Sequence, residues 1–344
     1  MIDNANVKSL KKDLGELSYY LGTNLDLVQG AGGNTSVKEN GTLWVKASGY
    51  WLSDNKNDIF VPLDRQLVLN KISLDEEDLS SSQLFKDQYH NIRPSIETTL
   101  HALMPHKFVA HVHSANVISH AVLKNCKQIL NDKLDKLKWL WVPYVRPGLP
   151  LTKKLKSLNI LDFDIIILAN HGLVIGGDSK ESVIEILKQV EKKLFRPLRK
   201  KLIDVDRRKI LELIGSLDFK LPKYEFCHAL AKDDLSIQII GQNALYPDHV
   251  IFLGPGNIPV FSYQDFKNII ATNALNINEK VIVIKDLGVI VNKNLSENAE
   301  EMLYCLTNVL LKLQSKDKLQ YLTHQDEAEL LGWDAEKYRK LIQR

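Results

Sequence analysis

Cysteine is scarce in this chain: the three cysteines among 344 residues, Cys126, Cys227 and Cys305, form no C-x-x-C pair. Their spacing excludes a disulfide framework and points to reduced thiols in a cytoplasmic protein. No apolar run approaches the roughly 18 residues that a membrane-spanning helix needs, and Met1-Ile2-Asp3-Asn4 carries no basic stretch leading into an apolar one. Neither a membrane partner nor a secretory leader is therefore expected. An excess of one charge is lacking as well, since 45 basic residues stand against 42 acidic ones, a formal +3. That balance gives no electrostatic ground for a nucleic-acid partner, whereas a small anion needs only a local basic site. G-x-G-x-x-G and G-x-x-x-x-G-K-[ST] are both absent, which removes the common nucleotide-binding loops.

What is present is ordinary globular material, 44% hydrophobic and 25% charged, in a chain longer than one compact core usually serves. Leu10, Leu14, Leu17 and Leu21 recur at helical spacing. Thr42 to Ala47 reads as a strand, Asp75 to Leu84 as an acidic surface segment, and Pro94 as the first turn of a helix running to about Leu103. Phe108 to His113 and Asp164 to Leu168 read as strands, the second ending at Asn170-His171-Gly172 before another at Leu173 to Ile175. A charged helix with an apolar stripe is expected from about Lys180 to Lys201, ended or kinked by Pro197. The pattern restarts after Asp206, giving two expected domains, 1–205 and a smaller α/β domain over 206–344. Tyr321 to Gln343 reads as a pair of short helices.

The second domain either carries a worn copy of part of the first or repeats a common strand-turn-strand-helix unit without being related to it. Asp164 to Ile175 aligns with Lys280 to Val291 at an offset of 116 residues, which sets His171 on Leu287. A weaker match sets Pro105 to Val117 on Pro247 to Pro259, with His111 and His113 on Leu253 and Pro255. On this alignment only the first domain carries histidines that could hold a metal.

His111 and His113 stand two apart in an expected strand, so both side chains project from one face and can grip one ion. A catalytic zinc site uses three protein ligands and one open position, and His171, at a strand-end turn before a glycine, is the natural third. Glu97, in Pro94-Ser95-Ile96-Glu97, either favours a helix dipole or sits beside the metal as a proton carrier. His101 lies one turn further on and could face the same way, and reads either as a residue supporting the site from behind or as structural. Gly30-Ala31-Gly32-Gly33-Asn34-Thr35-Ser36 offers small residues, an amide and hydroxyls suited to cradling a phosphate, or is an ordinary turn. Ser48-Gly49 adds a hydroxyl and an amide, and Lys46 either supplies positive charge or is a solvated strand residue.

In this order, Gly33-Asn34-Thr35-Ser36, Ser48-Gly49, Pro94-Ser95-Ile96-Glu97, His111-Val112-His113 and Asn170-His171-Gly172 resemble the class II aldolase/adducin family over about residues 5–200. The segments Val28 to Ser53, Pro94 to Thr98 and Val142 to Gly148 look most like the aldolase half of bifunctional rhamnulose-1-phosphate aldolase/dehydrogenase proteins. Tyr246-Pro-Asp-His-Val-Ile looks like the stretch that follows that half. The resemblance implies a three-layer α/β/α fold on a mainly antiparallel sheet, in a homo-oligomer that is usually a tetramer. It implies zinc or another divalent metal on His111, His113 and His171, and Glu97 as catalytic acid/base. A sugar phosphate would be held by Asn34, Thr35, Ser48, Gly49 and Ser95. Ile96 stands where members acting on small sugar phosphates often carry a second serine. The implied reaction is reversible cleavage of a phosphorylated ketose to dihydroxyacetone phosphate and an aldehyde. Alternatives are epimerisation, dehydration or decarboxylation on the same ligands, or an adducin-like scaffold, in which the histidines are typically lost.

Overall fold

A computed structural model describes residues 4–54, 58–85, 89, 92–200 and 204–333. The chain divides into two compact units, one containing 4–121 and 125–195 and the other 122–124 and 196–333, so the change of unit falls ahead of position 205. Among the described residues no helix is long and apolar enough to cross a membrane. All three cysteines are buried, and none forms a disulfide.

The first unit is built on a seven-stranded sheet. Its strands are β1 (Asn34–Glu39), β2 (Thr42–Lys46), β3 (Phe60–Asp64), β4 (Phe108–Val112), β5 (Trp139–Val142), β6 (Ile165–Leu168) and β7 (Gly172–Gly177). They lie in the order β3-β2-β1-β4-β7-β6-β5, antiparallel throughout except for β5 beside β6. Side chains alternate across such a sheet, so each face has its own set. One face packs Leu43, Val45, Val109, Ile166 and Val174 against helices Arg65–Ser73, Thr98–Leu103 and Leu149–Ser157. Helices Asn4–Gly22 and Lys180–Lys193 pack on the other, where Ser18 meets Thr35 and Val183 lies beside Gly177. This is the expected α/β/α arrangement.

Two expected helix bounds are corrected. Pro94 does not open a helix: it bridges Ala47, and the helix begins at Thr98. Residues 93–95 instead extend the sheet edge, with Ser48 N–H donating to Arg93 O (2.8 Å) and Ser95 N–H to Lys46 O (2.9 Å). The charged helix ends at Lys193, capped by Leu194, short of both Pro197 and Lys201. Of the two expected C-terminal helices, His324–Gly332 is formed with a Thr323 capping box, and the rest, with Tyr338, lies outside the described residues.

The second unit carries a four-stranded sheet of β8 (Phe219–Lys220), β9 (Val260–Phe261), β10 (Val281–Ile284) and β11 (Gly288–Asn292). Its order is β8-β11-β10-β9, with two antiparallel pairings followed by a parallel one. The first sheet's β4-β7-β6-β5 has the same chain order and directions. Detail extends the match: Asn170 (φ 52°) and Asp286 (φ 61°) both take left-handed backbone before the glycine. Asn170 N–H donates to Ala121 O (3.0 Å), as Asp286 N–H does to Ala231 O (2.8 Å). The pairings also correct the weaker alignment. Ala110 faces Ile175 and Lys220 faces Val291, so His111 and His113 correspond to Leu221 and Lys223, not to Leu253 and Pro255. Residues His249–Leu253 form a π-helical turn instead.

Candidate metal centre

β4 lies between β1 and β7, with His111 opposite Asn34 on one side and Val174 on the other. This places His111 in the middle of the sheet, wholly buried. His113 projects from the same face just past the strand end, its N–H bound to Leu27 O (2.8 Å). His171 sits in the tight β6–β7 turn, donating its N–H to Leu168 O (3.2 Å). The following Gly172 is required for this approach: a Cβ there would lie 2.5 Å from Val112 O, with the rings of His113 and His111 at 3.3 and 3.4 Å. Gly33 has φ +60° and brings the preceding loop against His111 O.

The three imidazoles converge. His111 Nε2 lies 3.0 Å from His113 Nε2 and 3.3 Å from His171 Nε2, and the three possible ligand atoms fall within 4.8 Å of one another. Tetrahedral zinc–nitrogen bonds of about 2.0–2.1 Å put ligand nitrogens about 3.3 Å apart, so the donor set fits such an ion. His111 Nδ1 donates to Leu173 O (3.1 Å), which leaves Nε2 as the lone-pair nitrogen. A lone-pair nitrogen facing two further imidazole nitrogens at this spacing suits a shared cation.

Glu97 stands beside this group, its Oε2 3.4 Å from His111 Nε2 and its Oε1 3.6 Å from His171 Nε2. It occupies the cap position of helix Thr98–Leu103 yet makes no capping hydrogen bond, so the helix-dipole reading does not account for its direction. Asn34 Nδ2 donates to Oε2 (2.8 Å), whereas the buried Oε1 has no hydrogen-bond partner. Burial works against ionisation, but positive charge at the His111 and His171 positions, with the Asn34 amide, outweighs it and holds the Glu97 carboxyl down to about 2.

The other expected site residues separate into groups. Ser48, Gly49 and Ser95 lie where β2 runs on beside residues 93–95, and Ser95 Oγ accepts from Glu97 N–H (3.3 Å). Asn34 is on the histidine face of β1, with its amide committed to Glu97 and His101. Thr35 points to the opposite face and shares a 2.7 Å hydrogen bond with Ser18. Lys46 is not solvated: it is buried, and its Nζ donates to Ala31 O (2.8 Å) and Tyr50 O (2.7 Å), tying the glycine-rich loop to the Ser48-Gly49 segment. His101, which the sequence marks as supporting the site or structural, contacts both Asn34 and Ser36. The available signal was spacing: Glu97 and His101 are one helical turn apart, and Asn34 and Ser36 are alternate residues of a strand.

Residues 13–194 match the family described as class II aldolase and adducin N-terminal domain. The chain is 32% identical over 212 residues to an uncharacterized oxidoreductase, YuxG, of Bacillus subtilis strain 168. The match covers 55% of this chain and 30% of that protein, so the chain spans less than a third of the relative's length. Among solved structures, the N-terminal class II aldolase domain of a conserved protein from Thermoplasma acidophilum is 27% identical with a TM-score of 0.48, over 53% of this chain and 90% of that one. An L-fuculose-1-phosphate aldolase from Thermus thermophilus is 12% identical with a TM-score of 0.39, over 54% and 90%. With the family match spanning the glycine-rich loop, Glu97 and all three histidines, the chain belongs to the class II aldolase/adducin family.

Proposed function

We propose that this protein is a zinc-dependent aldolase that reversibly cleaves a phosphorylated ketose into dihydroxyacetone phosphate and an aldehyde. The observation that carries the reading is the position of Glu97: a buried carboxyl group with one oxygen held by Asn34 and the other without a hydrogen-bond partner, next to three convergent imidazole nitrogens. His111, His113 and His171 would hold the ion, and zinc or another divalent metal supplies Lewis-acid polarisation of a carbonyl when bound.

The chain's own residues supply the rest. Glu97 Oε1 moves the proton on or off the carbon next to the carbonyl, and no lysine Schiff base is required. Ser48, Gly49 and Ser95 form the phosphate cradle, which sets the carbon presented to Glu97. The buried Lys46 ammonium makes that region favourable for an anion and keeps its two loops together. The second unit, with Leu221, Lys223 and Leu287 at the ligand positions, serves an accessory or assembly role, and the active form is a cytoplasmic homo-oligomer. A screen of ketose phosphates, read by release of dihydroxyacetone phosphate from zinc-loaded protein, tests the reading. Conversion of a ketose phosphate to an epimer, a dehydrated product or carbon dioxide without that release would assign the site to another reaction.

A further inference from the structure

Behind Glu97 lies a second line of polar groups that the proposed reaction does not use. Glu97 and His101 lie four residues apart at the start of one helix, and Asn34 and Ser36 lie two apart on one face of β1. The two pairs interlock. Asn34 Nδ2 reaches Glu97 Oε2 at 2.8 Å, Asn34 Oδ1 reaches His101 Nε2 at 2.5 Å, and His101 Nδ1 reaches Ser36 Oγ at 2.7 Å. All four side chains are buried.

The chemistry of these groups permits one assignment of protons. Asn34 Nδ2 donates to Glu97 Oε2, so the amide presents its N–H end to Glu97. Its carbonyl then faces His101, whose Nε2 must carry a proton. Burial, reinforced by Lys38, pushes His101 down to about 3, so the ring is neutral and holds one proton only. Nδ1 is therefore an acceptor, and the Ser36 hydroxyl donates to it. With the other tautomer, the Asn34 amide would rotate and set its carbonyl against the Glu97 carboxylate, two acceptors in a site with little water.

We propose that His101, locked by Ser36 as its Nε2–H tautomer, is a positioning residue that keeps the N–H end of Asn34 on Glu97 and so aims the open carboxylate oxygen at the substrate carbon. The inference rests on the reading of Glu97 as the proton carrier, and its first measurement needs no substrate.

Nitrogen-15 NMR of histidine-labelled full-length protein, with and without zinc, reads the His101 tautomer directly. Protonated Nε2 and bare Nδ1 are expected, and a growing Nδ1–H population is expected in Ser36→Ala. The second measurement is deuterium uptake by dihydroxyacetone phosphate in heavy water, which isolates proton transfer from the identity of the sugar. His101→Leu should slow uptake by between about 10- and 100-fold at unchanged metal content and KM, the effect of losing one hydrogen bond that orients a charged group. His101→Gln, which keeps an N–H near the Nε2 position, should restore most of the rate. An Nδ1–H tautomer in the wild-type protein, or uptake within about twofold of wild type in both His101→Leu and Ser36→Ala, would overturn the proposal. If His101→Leu does not fold, Ser36→Ala and the wild-type tautomer decide it. Absence of uptake in the wild type, with the tautomer as expected, would count against the aldolase reading and leave the lock in place.

Discussion

Replacing Glu97 with glutamine removes a negative charge and a proton acceptor while keeping the side chain's length and volume. The amide oxygen can still accept from Asn34 Nδ2, as Oε2 does at 2.8 Å. The other end becomes an N–H₂ group in the place of Oε1, the oxygen without a hydrogen-bond partner and 3.6 Å from His171 Nε2. Nothing in the histidine cluster is removed, so metal content should be retained. Proton transfer by a positioned base contributes typically 10²–10⁴-fold, roughly 3–5 kcal/mol of barrier, and that is the expected loss. The assay is turnover of the ketose phosphate found by screening, with metal content and thermal melting measured on the same samples. A fall of about 100-fold or more at full metal occupancy supports the assignment. Activity within a few-fold of wild type would show that the proton is carried elsewhere and refute the reasoning about the open carboxylate oxygen.

Other expectations follow from single contacts. Gly172→Ala drives a Cβ to 2.5 Å from Val112 O beside the rings of His111 and His113, and should abolish metal retention and lower the melting temperature. Lys46→Met removes the donor to Ala31 O and Tyr50 O, and in steady-state kinetics should raise KM more than it lowers kcat. His249 is fully buried with neither ring nitrogen partnered, and burial lowers its pKa from 6.5 to about 4. The folded state therefore resists a proton that the unfolded chain accepts, so stability is lost as pH falls from about 6.5 towards 4. That loss is on the order of 2 kcal/mol by pH 5, and His249→Leu should flatten the dependence in urea melts at pH 5 and 7. A steep, unchanged dependence in the variant would assign the acid sensitivity to other groups.

The parts of the fold that could be read from sequence are those where burial imposes a pattern. Ile165-Ile166-Ile167-Leu168 and Val281-Ile282-Val283-Ile284 are buried strands because only a two-sided interior accommodates four consecutive large apolar residues. The convergence of His111 and His113 is legible because alternate histidines in a strand share a face. The start of the Glu97 helix was misread because the pairing of Pro94 with Ala47 is a long-range contact, and proline's local preference cannot report it. In the second unit β8 is two residues long, too short to leave a hydrophobic period. The apolar run Val250-Ile251-Phe252-Leu253, a π-helical turn, drew the alignment to the wrong place. Lys46 was ambiguous for a similar reason: its buried partners are backbone carbonyls, which carry no sequence signature.

The central claim is one divalent metal ion per chain on His111, His113 and His171, and elemental analysis of purified full-length protein tests it most directly. The account predicts close to one equivalent of zinc or another divalent metal per chain in the wild type, with none retained when His111 and His113 are both replaced by alanine. Less than about half an equivalent in the wild type, with no uptake and no activation on adding zinc, or an undiminished equivalent in the double variant, would contradict it.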